Sequence, residues 1–154
     1  MCNSPSASNS SFRTLINLYG VAEIGKTATL TALYEIVKKS PSFNQINYHQ
    51  INQSDFYAIF SYNGKTVGIM TMGDPGCENE VQDFLNECLI HSCDRIFTAS
   101  RTRGQIFGMV IMFAQANNYA FIETSPLYMR ERNGYNGGFD FLHEGFAELL
   151  ENMI

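Results

Sequence analysis

No apolar run in this chain approaches the ~20 residues of a membrane-spanning helix. Charge is scarce as well: Asp, Glu, Lys and Arg make up 16% of the 154 residues. Ten Lys and Arg face fifteen Asp and Glu, a net charge of −5, and the basic residues form no stripe with interleaved aromatics. That balance argues against nucleic acid and anionic membrane as partners. Cys2, Cys77, Cys88 and Cys93 form no CxxC pair and are too few for a dense disulfide framework. His49, His91 and His143 lack the HxxxH or His/Cys spacing of a zinc site. Cys88 and Cys93 bracket His91, so a Cys–His nucleophile would arise only by tertiary accident. The opening MCNSPSASNSSF has neither the basic segment nor the apolar run of a secretion signal, and no lipoprotein-type run precedes Cys2. The expectation is a soluble, cytoplasmic protein with free thiols.

What is present is a globular pattern. Hydrophobic residues make up 45%, and a chain of this length buries about 70% of its unfolded surface on folding. Residues 1–11, rich in Ser and Asn, are expected to be a disordered tail, and 12–154 a single domain. Residues 12–19 (FRTLINLY) read as a buried strand, 20–27 as a glycine-punctuated loop, and 28–39 (ATLTALYEIVKK) as a helix with lysines in its last turn. Residues 55–62 and 66–72 flank Asn63-Gly64-Lys65, a hairpin signal, and 48–52 add a short edge strand. Helices follow at 78–92, 105–117 and 139–153, and strands at 94–99 and 119–123. Alternating strands and helices predict an α/β domain of three layers. Its sheet should have about five strands, mostly parallel, with one antiparallel hairpin strand.

Gly20-Val21-Ala22-Glu23-Ile24-Gly25-Lys26-Thr27 matches GxxxxGK[ST] in full, with a strand before it and a helix opening at Ala28. The pattern arises by chance in about one chain of this length in a few hundred. It resembles the Walker A loop of the P-loop nucleoside triphosphate-binding superfamily. Gly20 and Gly25 let the backbone curl so that successive N–H groups face one phosphate, and the helix dipole favours the same anion. The resemblance implies that Lys26, expected to face solvent, reaches the outer phosphates and that the Thr27 hydroxyl ligates Mg²⁺.

Such a loop calls for a carboxylate at the end of a neighbouring apolar strand, to hold the magnesium shell. Residues 66–72 followed by Gly73-Asp74 resemble that Walker B ending, which makes Asp74 the candidate. The other reading of Asp74 is structural, because Asp-Pro-Gly is a turn sequence and Asp74 could cap the helix opening near Glu78. Glu123 either faces the same site or is merely solvated. A hairpin before an Asp-containing turn is similar to the small GTPases. Their Asn-Lys-x-Asp guanine signature, however, is replaced here by Ser100-Arg101-Thr102-Arg103. Ser100 and Thr102 can donate or accept hydrogen bonds but supply no carboxylate, so ATP is expected over GTP.

The same arginines resemble the phosphate clamps of small-molecule kinases, Arg101 and Arg103 first, with Arg130 and Arg132 beside the glycine-rich 134–138 loop. Their bland reading is solubility at a helix start. The sequence therefore predicts an ATP- and Mg²⁺-binding protein. It either hydrolyses ATP or passes the γ-phosphoryl to a small-molecule acceptor, with Lys26, Asp74, Arg101 and Arg103 as the chemical residues. The alternative is a nucleotide-dependent switch that answers to a protein partner and turns over slowly.

Overall fold

The computed structural model describes residues 13–21, 24–126 and 140–154. The expected tail, Ala22 and Glu23 of the loop, Arg130, Arg132 and the 134–138 glycine cluster all lie outside the described residues.

Six strands and four helices follow one another in the described chain. They run β1 (Thr14–Tyr19), α1 (Lys26–Lys39), β2 (Asn44–Gln50), β3 (Phe56–Tyr62), β4 (Lys65–Met70), α2 (Glu78–Ile90), β5 (Arg95–Ser100), α3 (Gln105–Ala116), β6 (Ala120–Thr124) and α4 (Asp140–Glu151). The strands form one sheet in the order β2-β3-β4-β5-β1-β6. β4–β5, β5–β1 and β1–β6 pair in parallel, whereas β2–β3 and β3–β4 are antiparallel. The fold is α/β, but the edge strand is a full member of a six-stranded sheet, which is only partly parallel.

The extra antiparallel pairing comes from β2. It runs seven residues from Asn44 rather than starting at Tyr48, and a bulge lies between Gln45 and Asn47. Its sequence, NQINYHQ, hides it. An edge strand with solvent on its free side needs little apolar alternation, and this one is mostly exposed. The hairpin of β3 and β4 is tighter than the sequence suggested. Lys65 pairs with Tyr62, and the turn is Asn63-Gly64 alone, with φ of 46° and 76°. Two consecutive positive φ values suit the right-handed twist of the flanking strands.

The central strands are buried on both faces, and each face has its own apolar cluster. Leu15, Tyr57, Ile59, Met70 and Ile96 meet Phe84 and Leu85 of α2 and Val110 and Phe113 of α3. Ile16, Leu18, Ala58, Phe60, Ile69 and Phe97 meet Leu30, Leu33 and Val37 of α1 and Phe146 and Leu150 of α4. Helices thus cover both faces of the sheet. Among the described residues, no helix is long and apolar enough to cross a membrane.

One polar network interrupts the core. Asn17 on β1 is fully buried; its Nδ2 donates to Ser100 Oγ at 2.9 Å, and its Oδ1 accepts from Thr98 Oγ1 at 2.9 Å. Ser100 Oγ in turn donates to the Arg101 carbonyl at 2.9 Å. These bonds tie β1 to the end of β5. A buried hydroxyl that loses its partner costs about 1–3 kcal/mol. Asn17→Ala is therefore expected to lower the unfolding free energy by about that amount in urea denaturation. A change within the ~0.5 kcal/mol scatter of surface substitutions would contradict the network's role.

Candidate functional site

The topology marks one crevice before any motif is considered. β1 and β5 lie side by side and parallel, yet the helices that follow them go to opposite faces. α1 joins the cluster with α4, and α3 the cluster with α2. Where the chain turns opposite ways from two neighbouring strands, their carboxyl ends part, and open α/β sheets bind ligands there. The 20–27 loop leaves β1 at that point, and Arg101 leaves β5.

Gly20 has φ of 149°, and its amide donates to the Ser100 carbonyl at 3.2 Å. A Cβ there would lie 1.9 Å from Ile24 Cδ1. Gly25 is left-handed, with φ of 96°, and turns the chain into α1, which begins at Lys26 rather than Ala28. No side chain caps α1, and no acidic residue stands in its first turn. The leading N–H groups and the positive end of the dipole are thus left without an anionic side chain.

Lys26 does not face solvent as expected: it is 7% exposed. Its Nζ donates to the carbonyls of Gly20 and Val21, at 2.6 and 2.7 Å. The loop folds back over the ammonium and satisfies it with neutral oxygens. Burial pushes the Lys26 ammonium below its ordinary value; Asp74 opposes that shift and Arg101 adds to it. Lys26, Asp74 and Arg101 therefore share one electrostatic neighbourhood.

The strand before Asp74 is not, however, β1's neighbour, because β5 stands between β4 and β1. The end of β4 reaches the loop by two contacts. Thr27 Oγ1 donates to the Thr71 carbonyl at 3.3 Å. Gly73 presses against β5, where a Cβ would lie 2.1 Å from the Ala99 oxygen. Beyond it, Asp74 Oδ1 accepts from Arg101 Nε at 3.1 Å, with the Asp74 side chain 63% exposed. An ion pair this exposed is worth about 0–1 kcal/mol. Asp74 does not cap α2: Cys77 holds the N-cap position and no side chain bonds there. Arg101 and Arg103 line a small cleft of about 80 Å³ together with Gly73, Pro75 and Gln105.

Other candidates fall away. Glu123 is exposed on β6, a position that fits simple solvation. Ser100 is fully buried and bonded to Asn17 and Arg101, so it is closed to a nucleotide base. Cys77, Cys88 and Cys93 are free and buried. Burial pushes the Cys77 thiol up to about 12 and Cys88 well above its ordinary value, which removes the thiolate a nucleophile requires. His91 instead lies 3.5 Å from Glu87 of its own helix.

No family model, curated protein or solved structure matches this chain. What the site can do follows from its own atoms.

Two residues that the sequence reading passed over complete the crevice. Thr71 Oγ1 donates to Asp55 Oδ1 at 3.0 Å, so Asp55, Thr71 and Thr27 form a hydrogen-bonded chain from the start of β3 to the start of α1. Nothing in their spacing announces this, since 44 positions separate Thr27 from Thr71. The hydroxyl of Thr27 and the carboxylate of Asp74 are hard oxygen donors, the kind Mg²⁺ takes. Among the described residues, no group of three or more His, Cys, Asp or Glu could hold a metal by itself. A cation here would need phosphate oxygens and water as well, the usual state of nucleotide-bound magnesium.

Gly73→Ala tests the packing that brings the end of β4 to this crevice. The added methyl must displace the backbone of β5, so a loss of about 1–3 kcal/mol in unfolding free energy is expected by chemical denaturation. A variant as stable as the parent would mean that β4 and β5 separate there at no cost.

Proposed function

We propose that this protein binds ATP with Mg²⁺ at the 20–27 loop and transfers the γ-phosphoryl to water or to a small acceptor. The observation that carries the reading is the buried Lys26 ammonium, held by two loop carbonyls at the mouth of the β1–β5 crevice. It lies in the field of Asp74 and Arg101. A desolvated cation with neutral partners, beside an uncapped helix start, favours an anion with several oxygens. Lys26 would exchange its carbonyls for phosphate oxygens. Thr27 and Asp74 would hold the magnesium, which supplies charge neutralisation on the phosphates when bound. Arg101 and Arg103 would steady the group in transfer, Arg101 once released from Asp74.

That exposed Asp74–Arg101 pair also favours a second reading. A weak contact that nucleotide binding would exchange is the kind of element a nucleotide-dependent switch uses, with the segment from Thr71 to Cys77 moving when the pair opens.

A thermal-shift panel of ATP, ADP, GTP and pyrophosphate, with and without Mg²⁺, tests both. A ligand at a hundred times its Kd stabilises the fold by about 2.7 kcal/mol. ATP should do so in a magnesium-dependent way, at least as well as GTP. Lys26→Ala should weaken ATP by about 1.5–3 kcal/mol, the worth of a charge-assisted contact. Asp74→Asn should keep the melting temperature of the free protein and lose much of the magnesium response. No shift with any polyphosphate, or full affinity in Lys26→Ala, would overturn the reading. A GTP preference above about a hundredfold, or ~2.7 kcal/mol, would put the switch first.

A further inference from the structure

A groove starts at the edge of the crevice. It is about 1300 Å³ and runs from Thr27 along the outer side of α1, with β2 and the start of β3 as its other wall. α1 packs with α4 over the middle of the sheet, and β2 is the edge strand beyond them.

Its chemistry is specific. Tyr48 is 38% exposed and stacks on Phe56, with ring centroids 5.4 Å apart, so it offers a supported aromatic surface to the groove. Tyr34 lies 5.8 Å from Tyr48, and Lys38 Nζ is held 5.5 Å over the Tyr34 ring. Gln45 and Gln50 stand in the same wall: Gln45 accepts from the Tyr34 hydroxyl at 3.0 Å, and Gln50 accepts from the Tyr48 hydroxyl. Amides both donate and accept, as the edge of a heteroaromatic ring requires. The formal charges in the walls balance, Glu35 and Glu148 against Lys38 and Lys39, so the groove suits a neutral ligand. Thr27 and Tyr34 are seven residues apart on α1, about 10 Å along the helix. A nucleoside is about that long from its hydroxymethyl group to the far edge of its base.

We propose that this groove is the acceptor site, and that the acceptor is a neutral heteroaromatic alcohol of nucleoside type. The inference rests on the ATP reading above. The ring stacks on Tyr48 against the amides, and the hydroxyl reaches the Thr27 end. Asp55 stands at that end: Ser54 and Phe56 on either side of it line the groove, and its carboxylate is linked through Thr71 to Thr27. In the transfer, the acceptor oxygen forms a bond to the γ-phosphorus of ATP. The bond from that phosphorus to the β–γ bridging oxygen breaks, its electron pair leaves with ADP, and the hydroxyl proton passes to Asp55.

The experiment uses the full chain with Mg²⁺, the four common ribonucleosides, their deoxy forms, and glucose as a non-aromatic alcohol. At least one nucleoside should bind by calorimetry without ATP and raise ADP release above the rate with water alone. Tyr48→Ala should raise the nucleoside KM at least tenfold and leave the ATP KM unchanged, with Tyr48→Phe close to the parent. Thr31→Phe, which puts bulk into the groove from α1, should act like Tyr48→Ala. Asp55→Asn should lower kcat by about a hundredfold or more with nucleoside affinity retained. ATP binding with no nucleoside effect, glucose accepted in place of nucleosides, or an unchanged nucleoside KM in both groove variants would overturn this inference and leave the ATP reading standing. Nucleoside binding with no ATP binding would sink that reading and the acceptor role together.

Discussion

The pairing of β1 with β5 is the constraint on which the rest of the site depends. Six residues of each strand lie in parallel register, from Thr14 against Arg95 to Tyr19 against Ser100. Asn17 holds the last turn of that register by bonding both hydroxyls of β5 that face it. An amide buried between two hydroxyls has one good position, and a slip of one residue would turn it to the other face. The register therefore fixes where the 20–27 loop and Arg101 emerge together. The Gly20 amide then bonds the Ser100 carbonyl as the loop departs. Every charged group of the crevice is placed relative to these two strand ends.

From that frame the electrostatics follow. A lysine at the start of a helix would ordinarily extend into water, since a solvated ammonium costs nothing. Here the loop curls over Lys26, and two carbonyls replace its water. Neutral oxygens compensate a buried cation only in part, which is why burial lowers its proton affinity. Such an ammonium gains more from an anion than an exposed one does, because the attraction acts through less water. Asp74, the nearest compensating charge, is occupied by Arg101 and largely solvated. The charge of Lys26 is thus offset only in part within the crevice.

The groove beside α1 is of a different kind. It lies between α1 and the β2 edge, where Tyr34 reaches across to Gln45 and Tyr48 without filling the space. Side chains on that edge meet water on one side and aromatic rings on the other, so β2 mixes Tyr48 with amides and carries no Lys, Arg, Asp or Glu. A surface of this kind is neither core nor ordinary exterior: Tyr48 stacks on Phe56, and Tyr34 meets Phe56 edge-on.

Much of the architecture was legible from local pattern. Apolar runs bounded by glycine and proline, helical spacing in 28–39 and 78–92, and Asn63-Gly64 each identify their element, because backbone preference and burial act over a few residues. The 20–27 loop was legible for the same reason, since its glycines answer a local demand for positive φ and a close turn. β2 was only half legible, as an edge strand is under little pressure to alternate. What tertiary structure alone decided is which distant residues meet. That β5 lies between β1 and β4, and that Asp74 pairs with Arg101 rather than capping α2, depend on contacts between segments tens of residues apart. So does the link from Asp55 through Thr71 to Thr27. Sequence specifies local conformation through short-range sterics and periodicity, whereas the meeting of remote side chains depends on how sheet register and helix packing close the whole domain.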